Sequence, residues 1–466
     1  HIILVNELGY HFDSPFFLIS VLNFICLIFY LMKIKVVLIV IISCLESVAF
    51  SQSLNLMKRS HFEAEKIMAK VIEWRHDIHE HPELSNLEFK TAAKVAQHMS
   101  DLGLKVKEGV AKTGVVGILV GDQPGPVIAL RADMDGLPVT ERVELSWASK
   151  ATSIYNNKAT GVMHACGHDT HVAILMGVAE VLSGLKKDLK GTVKFIFQPA
   201  EEGPPPGEEG GAKLMIKEGV LMNPKVEVAF GLHISADTPE GILTYKSGSI
   251  LAASDRFVIK VEGKQSHGSQ PWASIDPIVT SAQIINGIQT IISRQTELTN
   301  EGAVITVGMI NSGIRNNIIP ESAEMIGTIR TLDTKMQDKI HNDLIRTATK
   351  IGESMGAHVT VDIEREVPLT FNDPALTKKA VSWLKQNLGP KYVLLQRAIT
   401  GAEDFSFFGQ KVPSFFFFIG GCPKGSDPAL AAPHHTPDFY VTDSAMITGV
   451  KAMLGLTIGY MNDPLE

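Results

Sequence analysis

After about residue 60, apolar positions switch between a helical spacing and the short runs typical of buried strands. The stretch His61–Leu104 has helical spacing, and the runs Gly114–Val120 and Val127–Ala132 predict two strands. Further along, the same criteria predict a helix capped by Asp169, a strand over Thr192–Gln198, a helix over Gly211–Glu218 and a strand over Val226–His233. Strands that alternate with helices indicate an α/β fold with a central, mostly parallel sheet.

The pattern changes between residues 253 and 367. Asp255–Glu262 alternates like a half-exposed strand, and Asp276-Pro277 then begins a helix in the preferred N-cap and N1 arrangement. Two strands follow over Ala303–Met309 and Ala323–Arg330, then a helix over Thr334–Ser354 and a strand over His358–Glu364. The order β-α-β-β-α-β is that of a ferredoxin-like unit.

The α/β pattern resumes afterwards, with a helix over Pro374–Leu388 and a very apolar strand over Ser414–Ile419. We therefore predict a ferredoxin-like domain, residues 253–367, inserted into a larger discontinuous domain. The two parts of the larger domain are residues 52–252 and 368–466.

The first fifty residues are more apolar than the rest. Pro15–Met32 carries no charge over 18 residues, and a second apolar run, 36–43, follows Lys33 and Lys35. The segment from Met32 to Ser51 has the pattern of a secretory signal peptide that is cleaved after Ser51, which predicts a periplasmic or secreted protein. Residues 1–31 would then be upstream sequence. The alternative is a membrane anchor over 15–43.

The amino-acid composition limits the partners and the kind of fold that the protein can have. The chain has 466 residues, a formal net charge of −7 and four cysteines. Nucleic acid is excluded as a main partner because phosphate binding needs a cationic surface. After the predicted cleavage only Cys166 and Cys422 remain, which is too few for a disulfide framework. We interpret Cys422 as an ordinary buried residue and Cys166 as one retained for its chemistry.

Metal-binding side chains occur in three segments next to predicted strands or helices. The segments are His164-Ala-Cys-Gly-His-Asp-Thr-His171, Phe197-Gln-Pro-Ala-Glu-Glu-Gly203 and Val228-Ala-Phe-Gly-Leu-His233. In open α/β sheets, sites gather beyond the carboxyl ends of the strands, so these segments can converge. A thiolate, imidazoles and a carboxylate together suit Zn²⁺ and related divalent ions.

The adjacent carboxylates Glu201 and Glu202 can have different roles in a metal site. Consecutive side chains point apart, so one can bind metal while the other faces a metal-bound water. A carboxylate within reach can take a proton from that water and produce a hydroxide nucleophile.

The motifs resemble those of a known family. Besides the three segments, they are Arg131-Ala-Asp-Met-Asp-Gly-Leu-Pro138, Gln265-Ser-His-Gly-Ser-Gln-Pro271, Asn317-Ile-Ile-Pro320, Gly401-Ala-Glu-Asp-Phe405 and His435-Thr-Pro-Asp-Phe439. The chain is similar, from about Trp74 to Gly459, to the binuclear metallo-amidohydrolases that include hippurate hydrolase, bacterial aminoacylases and plant indole-acetyl-amino-acid hydrolases. The resemblance implies hydrolysis of N-acyl-L-amino acids, a small-molecule substrate and a homodimer that associates through the inserted domain.

The resemblance also implies roles at individual positions. Cys166 would bridge two divalent ions, either Zn²⁺ or Mn²⁺, with Co²⁺ and Ni²⁺ also compatible. The remaining ligands would be His168, Glu202, His233 and His435, with the choice between His434 and His435 left open by the sequence. Glu201 would be the general base, and Asp135 would support the ligands.

Three further residues would act on the substrate. The resemblance implies that His267 reaches the partner subunit's site and stabilises the oxyanion. Asn317 and Arg330 would hold the substrate carboxylate, a task suited to the donor fork of arginine.

Several alternatives remain at this point. Within the same fold, the main one is a dipeptidase or carboxypeptidase, and a non-catalytic dimeric carrier is another. Gly352-Glu-Ser-Met-Gly356 matches a serine-hydrolase motif, but a helix precedes it and a strand follows, the reverse of a nucleophile elbow. The histidine-rich segment Arg75–His81 begins a helical stretch, and we interpret it as structural.

Overall fold

The computed structural model describes residues 15–465, without the side chains of residues 15–18, 20, 34 and 36–53. The chain forms two compact units, one up to Lys58 and the other from Arg59 onward. In the described part of the chain, no helix has both the length and the apolarity needed to cross a membrane. The predicted apolar run 36–43 and the cleavage site after Ser51 lie where side chains are not described, so the signal peptide stays a prediction.

The helices are α1 (Pro15–Glu80), α2 (Phe89–Asp101), α3 (His168–Gly184), α4 (Gly211–Lys217), α5 (Pro277–Thr290), α6 (Thr334–Ser354), α7 (Pro374–Leu388), α8 (Ser406–Gly409) and α9 (Met446–Asn462). The strands are β1 (Lys105–Val110), β2 (Gly114–Val120), β3 (Gln123–Asp133), β4 (Thr152–Tyr155), β5 (Lys158–Gly161), β6 (Lys190–Gln198), β7 (Val228–Pro239), β8 (Leu243–Tyr245), β9 (Gly248–Leu251), β10 (Ala253–Glu262), β11 (Ser266–His267), β12 (Ala303–Ser312), β13 (Ile318–Ile319), β14 (Ser322–Thr331), β15 (His358–Val367), β16 (Thr370–Asn372), β17 (Val393–Leu395) and β18 (Ser414–Cys422).

The larger sheet has eight strands in the order β1-β2-β6-β3-β7-β18-β8-β17. Its four central strands, β6, β3, β7 and β18, are mutually parallel, while β1, β2 and β8 run antiparallel to a neighbour. Helices α3 and α9 pack together and against the central strands. This confirms the predicted α/β class with a mostly parallel sheet.

The smaller sheet has the order β12-β14-β10-β15 and is antiparallel throughout. One face packs on α5 and α6, with Phe257, Ile259 and Met325 fully buried among residues of both helices. The opposite face carries Arg256 and Arg330. The order of elements along the chain is the predicted β-α-β-β-α-β, so the ferredoxin-like unit is confirmed, while its boundaries at 253 and 367 stay predictions.

The two strands that flank the smaller sheet in sequence pair with each other. β9 precedes it and β16 follows it, and they form an antiparallel ladder in which Leu251 is opposite Thr370 and Gly248 is opposite Asn372. The chain therefore leaves the larger domain and returns to it at the same place.

Three local predictions differ from the structure. The helical stretch His61–Leu104 is two helices, because Pro82 has no amide hydrogen to continue α1, and residues 81–88 form a loop. Asp169 does not cap α3: Gly167 occupies the N-cap position, and the Asp169 carboxylate lies 2.8 Å from Nε of Arg75. His233 lies inside β7, which continues to Pro239.

The charged and histidine side chains of the segment Arg75–His81 include two partners of Asp169. Besides Arg75, Nδ1 of His79 lies 2.9 Å from the same carboxylate, and all three side chains are buried. Burial opposes the charge, but Arg75 and His79 hold the pKa of Asp169 below its usual range. The segment thus joins α1 to the start of α3, as a structural role requires.

Candidate metal and catalytic site

A cleft of about 1780 Å³ lies between the carboxyl ends of the central strands and the open face of the smaller sheet. From the larger domain, Cys166, Glu201 and His435 line it. From the smaller sheet, Arg256 and Arg330 line it. Chemistry-bearing residues of both parts therefore face one space, as expected for a site beyond the carboxyl ends of strands.

The Cys166 thiol is at the centre of the donor atoms. Its Sγ lies 3.2 Å from Nε2 of His233 and 3.3 Å from Nε2 of His435. Two sets of potential ligand atoms share it, each with all atoms within 4.8 Å of one another: Cys166 with His168 and His233, and Cys166 with Glu202 and His435. The Cys166 sulfur could therefore contribute to either donor set.

The turn before α3 places two of these groups. Gly167 has φ of +95°, and a side chain there would meet Ile234 at 2.5 Å, so only glycine is accommodated. The turn puts Cys166 in the cleft wall and the buried His168 at the first position of α3.

Hydrogen bonds leave the histidine Nε2 atoms available to a metal. Nδ1 of His168 donates to the Asp135 carbonyl (2.9 Å), and Nδ1 of His233 donates to the Ile234 carbonyl (2.6 Å). Among the described residues, the buried Nε2 of His168 has no hydrogen-bond partner. An outer hydrogen bond that fixes one ring nitrogen while the other faces the donor cluster is typical of metal-binding histidines. The residues present therefore fit a metal site.

The geometry distinguishes the two adjacent C-terminal histidines. Nε2 of His435 lies 2.9 Å from Glu202 and faces Cys166. By contrast, His434 donates from Nδ1 to the Cys166 carbonyl (3.2 Å) and accepts at Nε2 from the Ala236 amide (3.3 Å). His435 is in the donor set, and both ring nitrogens of His434 are engaged by the backbone.

The two consecutive glutamates have different neighbours. Glu202 faces His435, whereas Glu201 lies 3.8 Å from Nε2 of His168 and also groups with Glu403 and Asp404. Burial raises the pKa of Glu201 well above its usual value, and the carboxylates of Glu403 and Glu202 add to the effect.

Other groups at the site carry perturbed pKa values as well. Burial raises the pKa of the Cys166 thiol, and Glu202 and Glu201 raise it further. For His168, burial favours the neutral ring, but Asp133 and Asp135 raise its pKa to about 10. A divalent cation at these atoms would favour the thiolate, the carboxylates and the neutral ring, so metal binding would release protons.

Asp135 lies directly behind the glutamates. Its carboxylate accepts the backbone amides of Glu201 and Glu202, each at 3.1 Å, and the Ser85 hydroxyl at 2.7 Å. It holds the segment that carries both glutamates, and its carbonyl orients His168.

Sequence reasoning assigned no role to a buried charge network beside Glu201. Arg131, on β3, pairs with Asp133 (2.5 Å), Glu403 (2.8 Å) and Asp404 (3.0 Å), and it is fully buried. Burial raises the pKa of Asp404 to about 7, although Arg131 opposes the rise. The sequence feature that could have revealed this network is Arg131 itself, a charged residue in a strand that is otherwise apolar, because a buried arginine needs buried partners.

The structure does not bring His267 and Asn317 to the cleft. Both are exposed and lie at the short β11–β13 ladder, where the Gly268 amide donates to the Asn317 carbonyl at 2.8 Å. Neither lines the cleft of its own chain, whereas Arg330 does.

Comparisons with known proteins point the same way. A model of the peptidase family M20/M25/M40 matches residues 129–458. The chain is 40% identical to thermostable carboxypeptidase 2 of Saccharolobus solfataricus, covering 88% of this chain and 100% of that protein. It is 37% identical to N-acetylcysteine deacetylase of Bacillus subtilis, covering 78% and 91%. Among solved structures, the YXEP protein of Bacillus subtilis, described as a dinuclear metal-binding peptidase, has a TM-score of 0.72 at 33% identity, covering 85% of this chain and 99% of that one.

Proposed function

Since the chain belongs to peptidase family M20/M25/M40, we propose that it is an amidohydrolase that cleaves N-acyl-L-amino acids to a carboxylic acid and a free amino acid. The observation that carries the proposal is the Cys166 thiol, shared by two donor sets, with Glu201 beside them. The relative named N-acetylcysteine deacetylase supports this substrate class.

The proposed ligands are Cys166 as the bridge, with His168, Glu202, His233 and His435. Two divalent ions held there, Zn²⁺ or Mn²⁺ in our proposal, would polarise the scissile carbonyl and lower the pKa of bound water. Co²⁺ or Ni²⁺ would suit the same donors.

Glu201 would move the proton. Burial raises its pKa above that of an ordinary carboxyl, which favours acceptance of a proton from the attacking water, and the same group would later return that proton to the leaving amine. Arg330, in the cleft wall, would hold the substrate carboxylate through two N–H groups.

The remaining substrate contacts would come from a second copy of the chain. His267 and Asn317 are exposed on the smaller domain, and β12 is an edge strand of its sheet that exposes Met309 and Ile310. An exposed apolar edge favours pairing with another strand. We propose a homodimer with two-fold symmetry, in which β12 lies at the interface and His267 stabilises the oxyanion in the partner's site.

The test is release of free amino acid from a panel of hippurate, N-acetyl-amino acids, indole-acetyl-amino acids and dipeptides. Purified protein is assayed directly, after chelation, and after addition of Mn²⁺ or Zn²⁺. We expect hydrolysis of acyl-amino acids that chelation abolishes and metal restores. Chelator-insensitive hydrolysis would refute the metal mechanism, and two bound ions per chain without any hydrolysis would favour the carrier alternative.

Glu201→Ala tests the general base. We expect it to remove most turnover while metal content stays near that of the wild type, because the neighbouring Glu202 is the proposed ligand. Elemental analysis precedes each assay. An active Glu201→Ala protein with full metal would exclude Glu201 as the base.

A peptidase is the second candidate, because the 40% identical relative is named a carboxypeptidase. The same panel distinguishes the two. Faster cleavage of dipeptides than of every acyl-amino acid, with the same metal dependence, would favour the peptidase.

We also propose that residues 32–51 direct export to the periplasm or beyond. N-terminal sequencing of the protein from a secreting host tests this. A mature end at Gln52 is expected, whereas retention of the leader in the membrane fraction would favour the anchor.

A further inference from the structure

The backbone immediately before Glu201 has an unusual conformation. Ala200 has φ of +50°, in the left-handed region, and is buried. For a residue with a Cβ atom this conformation is strained, so it persists only where the surroundings impose it. The direction in which Glu201 leaves the end of β6 depends on this turn.

Two buried carboxylates hold the turn by three successive amides. The Ala200 amide donates to Oε1 of Glu88 at 2.9 Å, and the Glu201 and Glu202 amides donate to the two oxygens of Asp135 at 3.1 Å. Each of the three buried amides therefore has an acceptor oxygen. Asp135 was expected from the sequence to support the site, whereas Glu88 was not.

The side chain of Glu88 is turned away from its own helix. Glu88 is at the N-cap position of α2, yet it makes no side-chain cap, and Glu83 accepts the amides of Lys90 and Thr91 instead. Its other oxygen, Oε2, accepts the Thr113 hydroxyl at 2.5 Å. Glu88 is thus specialised for contacts outside the helix.

The position of Glu88 is energetically costly. The residue is fully buried, and burial, followed by the nearby Asp135 carboxylate, raises its pKa to about 7. A buried polar side chain without a cation beside it destabilises the fold unless its hydrogen bonds compensate. Here those bonds are directed to the turn before Glu201 and to Thr113.

We infer that Glu88 is a positioning residue for catalysis: through the Ala200 amide it fixes the left-handed turn from which Glu201 enters the cleft, whereas the Glu202 amide stays held by Asp135 when Glu88 is lost. The inference rests on the proposed role of Glu201 as general base. It predicts that loss of Glu88 affects the chemical step more than substrate binding, because displacement of a catalytic group by about 1 Å can cost on the order of 100-fold in rate.

The test compares Glu88→Ala, Glu88→Gln and the control Glu83→Ala. Glu83 lies in the same loop and caps α2 but does not contact the turn. For Glu88→Ala we expect kcat to fall roughly 30-fold or more, with KM and metal content within about twofold of the wild type. Glu88→Gln keeps a carbonyl oxygen for the Ala200 amide and should recover most of kcat. Glu83→Ala should lower the melting temperature and leave kcat unchanged.

Three results would overturn the inference. The first is a wild-type kcat in Glu88→Ala. The second is a fall in the kcat of Glu88→Ala that is proportional to its loss of metal, and the third is a fall in the kcat of Glu83→Ala as large as that of Glu88→Ala. If Glu88→Ala does not fold, Glu88→Met and Thr113→Val decide. Glu88→Met fills the space without an acceptor for the Ala200 amide, Thr113→Val removes the hydroxyl that orients Glu88, and wild-type kcat in both would refute the role.

Hydrogen exchange separates this inference from the proposed function. Peptides covering residues 199–203 should exchange faster in Glu88→Ala than in the wild type and be unchanged in Glu83→Ala. If the wild type cleaves nothing in the panel but this difference appears, the positioning holds and the proposed function fails. If the wild type is active and neither exchange nor kcat responds to Glu88→Ala, only the positioning fails.

Discussion

Replacing Arg131 by methionine should destabilise the larger domain severely, because the guanidinium neutralises three buried carboxylates. It lies 2.5, 2.8 and 3.0 Å from Asp133, Glu403 and Asp404, and its side chain is 1% exposed. Removing one partner of a buried ion pair costs about 3–5 kcal/mol. Glu403 and Asp404 would lose their cation, and Asp133 would keep only histidine neighbours, the nearest being His171 at 2.6 Å, so we expect the loss to reach the upper end of that range.

The loss should depend on pH in a defined direction. Without Arg131, burial and mutual repulsion would hold the pKa of Glu403 and Asp404 in the folded state still further above their unfolded values of roughly 4. The folded variant then binds more protons than the unfolded chain, so its stability falls as pH rises from about 4 through the raised values. The difference between wild type and Arg131→Met should therefore be larger at pH 8 than at pH 5.5.

The assay is urea unfolding of metal-free protein, followed by circular dichroism and tryptophan fluorescence at both pH values. With a slope near 3 kcal/mol per molar, a loss of about 5 kcal/mol would lower the midpoint by roughly 1.7 M. Arg142→Met is the matched control, because Arg142 pairs with Asp438 on the surface and should leave the midpoint unchanged. An Arg131→Met midpoint equal to that of Arg142→Met, or a deficit that is the same at both pH values, would refute the reasoning.

Three further predictions concern the site. Cys166→Ser should lower bound metal below two ions per chain by elemental analysis, because a hydroxyl bridges poorly; unchanged metal content would exclude the thiolate bridge. His435→Ala should lower metal content more than His434→Ala, and the reverse order would assign His434 as the ligand. His267→Ala and Glu201→Ala should each be inactive alone. When the two proteins are mixed and exchange subunits, about half of the dimers are mixed and each of these has one intact site, so about a quarter of wild-type activity should return. No recovery would place His267 outside the partner's site.

Much of the fold was predictable because the deciding signals are local. The β-α-β-β-α-β order follows from strand alternation and from the Asp276 cap, whose carboxylate does accept the amides of Ile278 and Val279. The break in the first helical stretch was also signalled locally, by Pro82, but the helical spacing on both sides masked it. The extent of β7 beyond His233 was not predictable, because pairing with β18 sets it.

The donor set was predictable because short motifs carry it, whereas its supports were not. Cys166 and His168 are two residues apart, but Glu88 contacts Ala200 across 112 positions and Arg131 contacts Glu403 across 272. Such pairs have no spacing rule in a single sequence. The role of His267 depends on a second chain, which the fold of one chain does not supply.

The antiparallel ladder of β9 and β16 brings together the two points at which the chain enters and leaves the smaller domain. Because the two strands lie side by side, about 5 Å apart, the ends of the inserted segment are close enough for a hairpin turn of about two to five residues to join them. No strand of the eight-stranded sheet would be interrupted by that exchange. The smaller domain is therefore a replaceable module, and a gene in which a turn takes its place should still encode the complete eight-stranded sheet with its thiol and carboxylate donors.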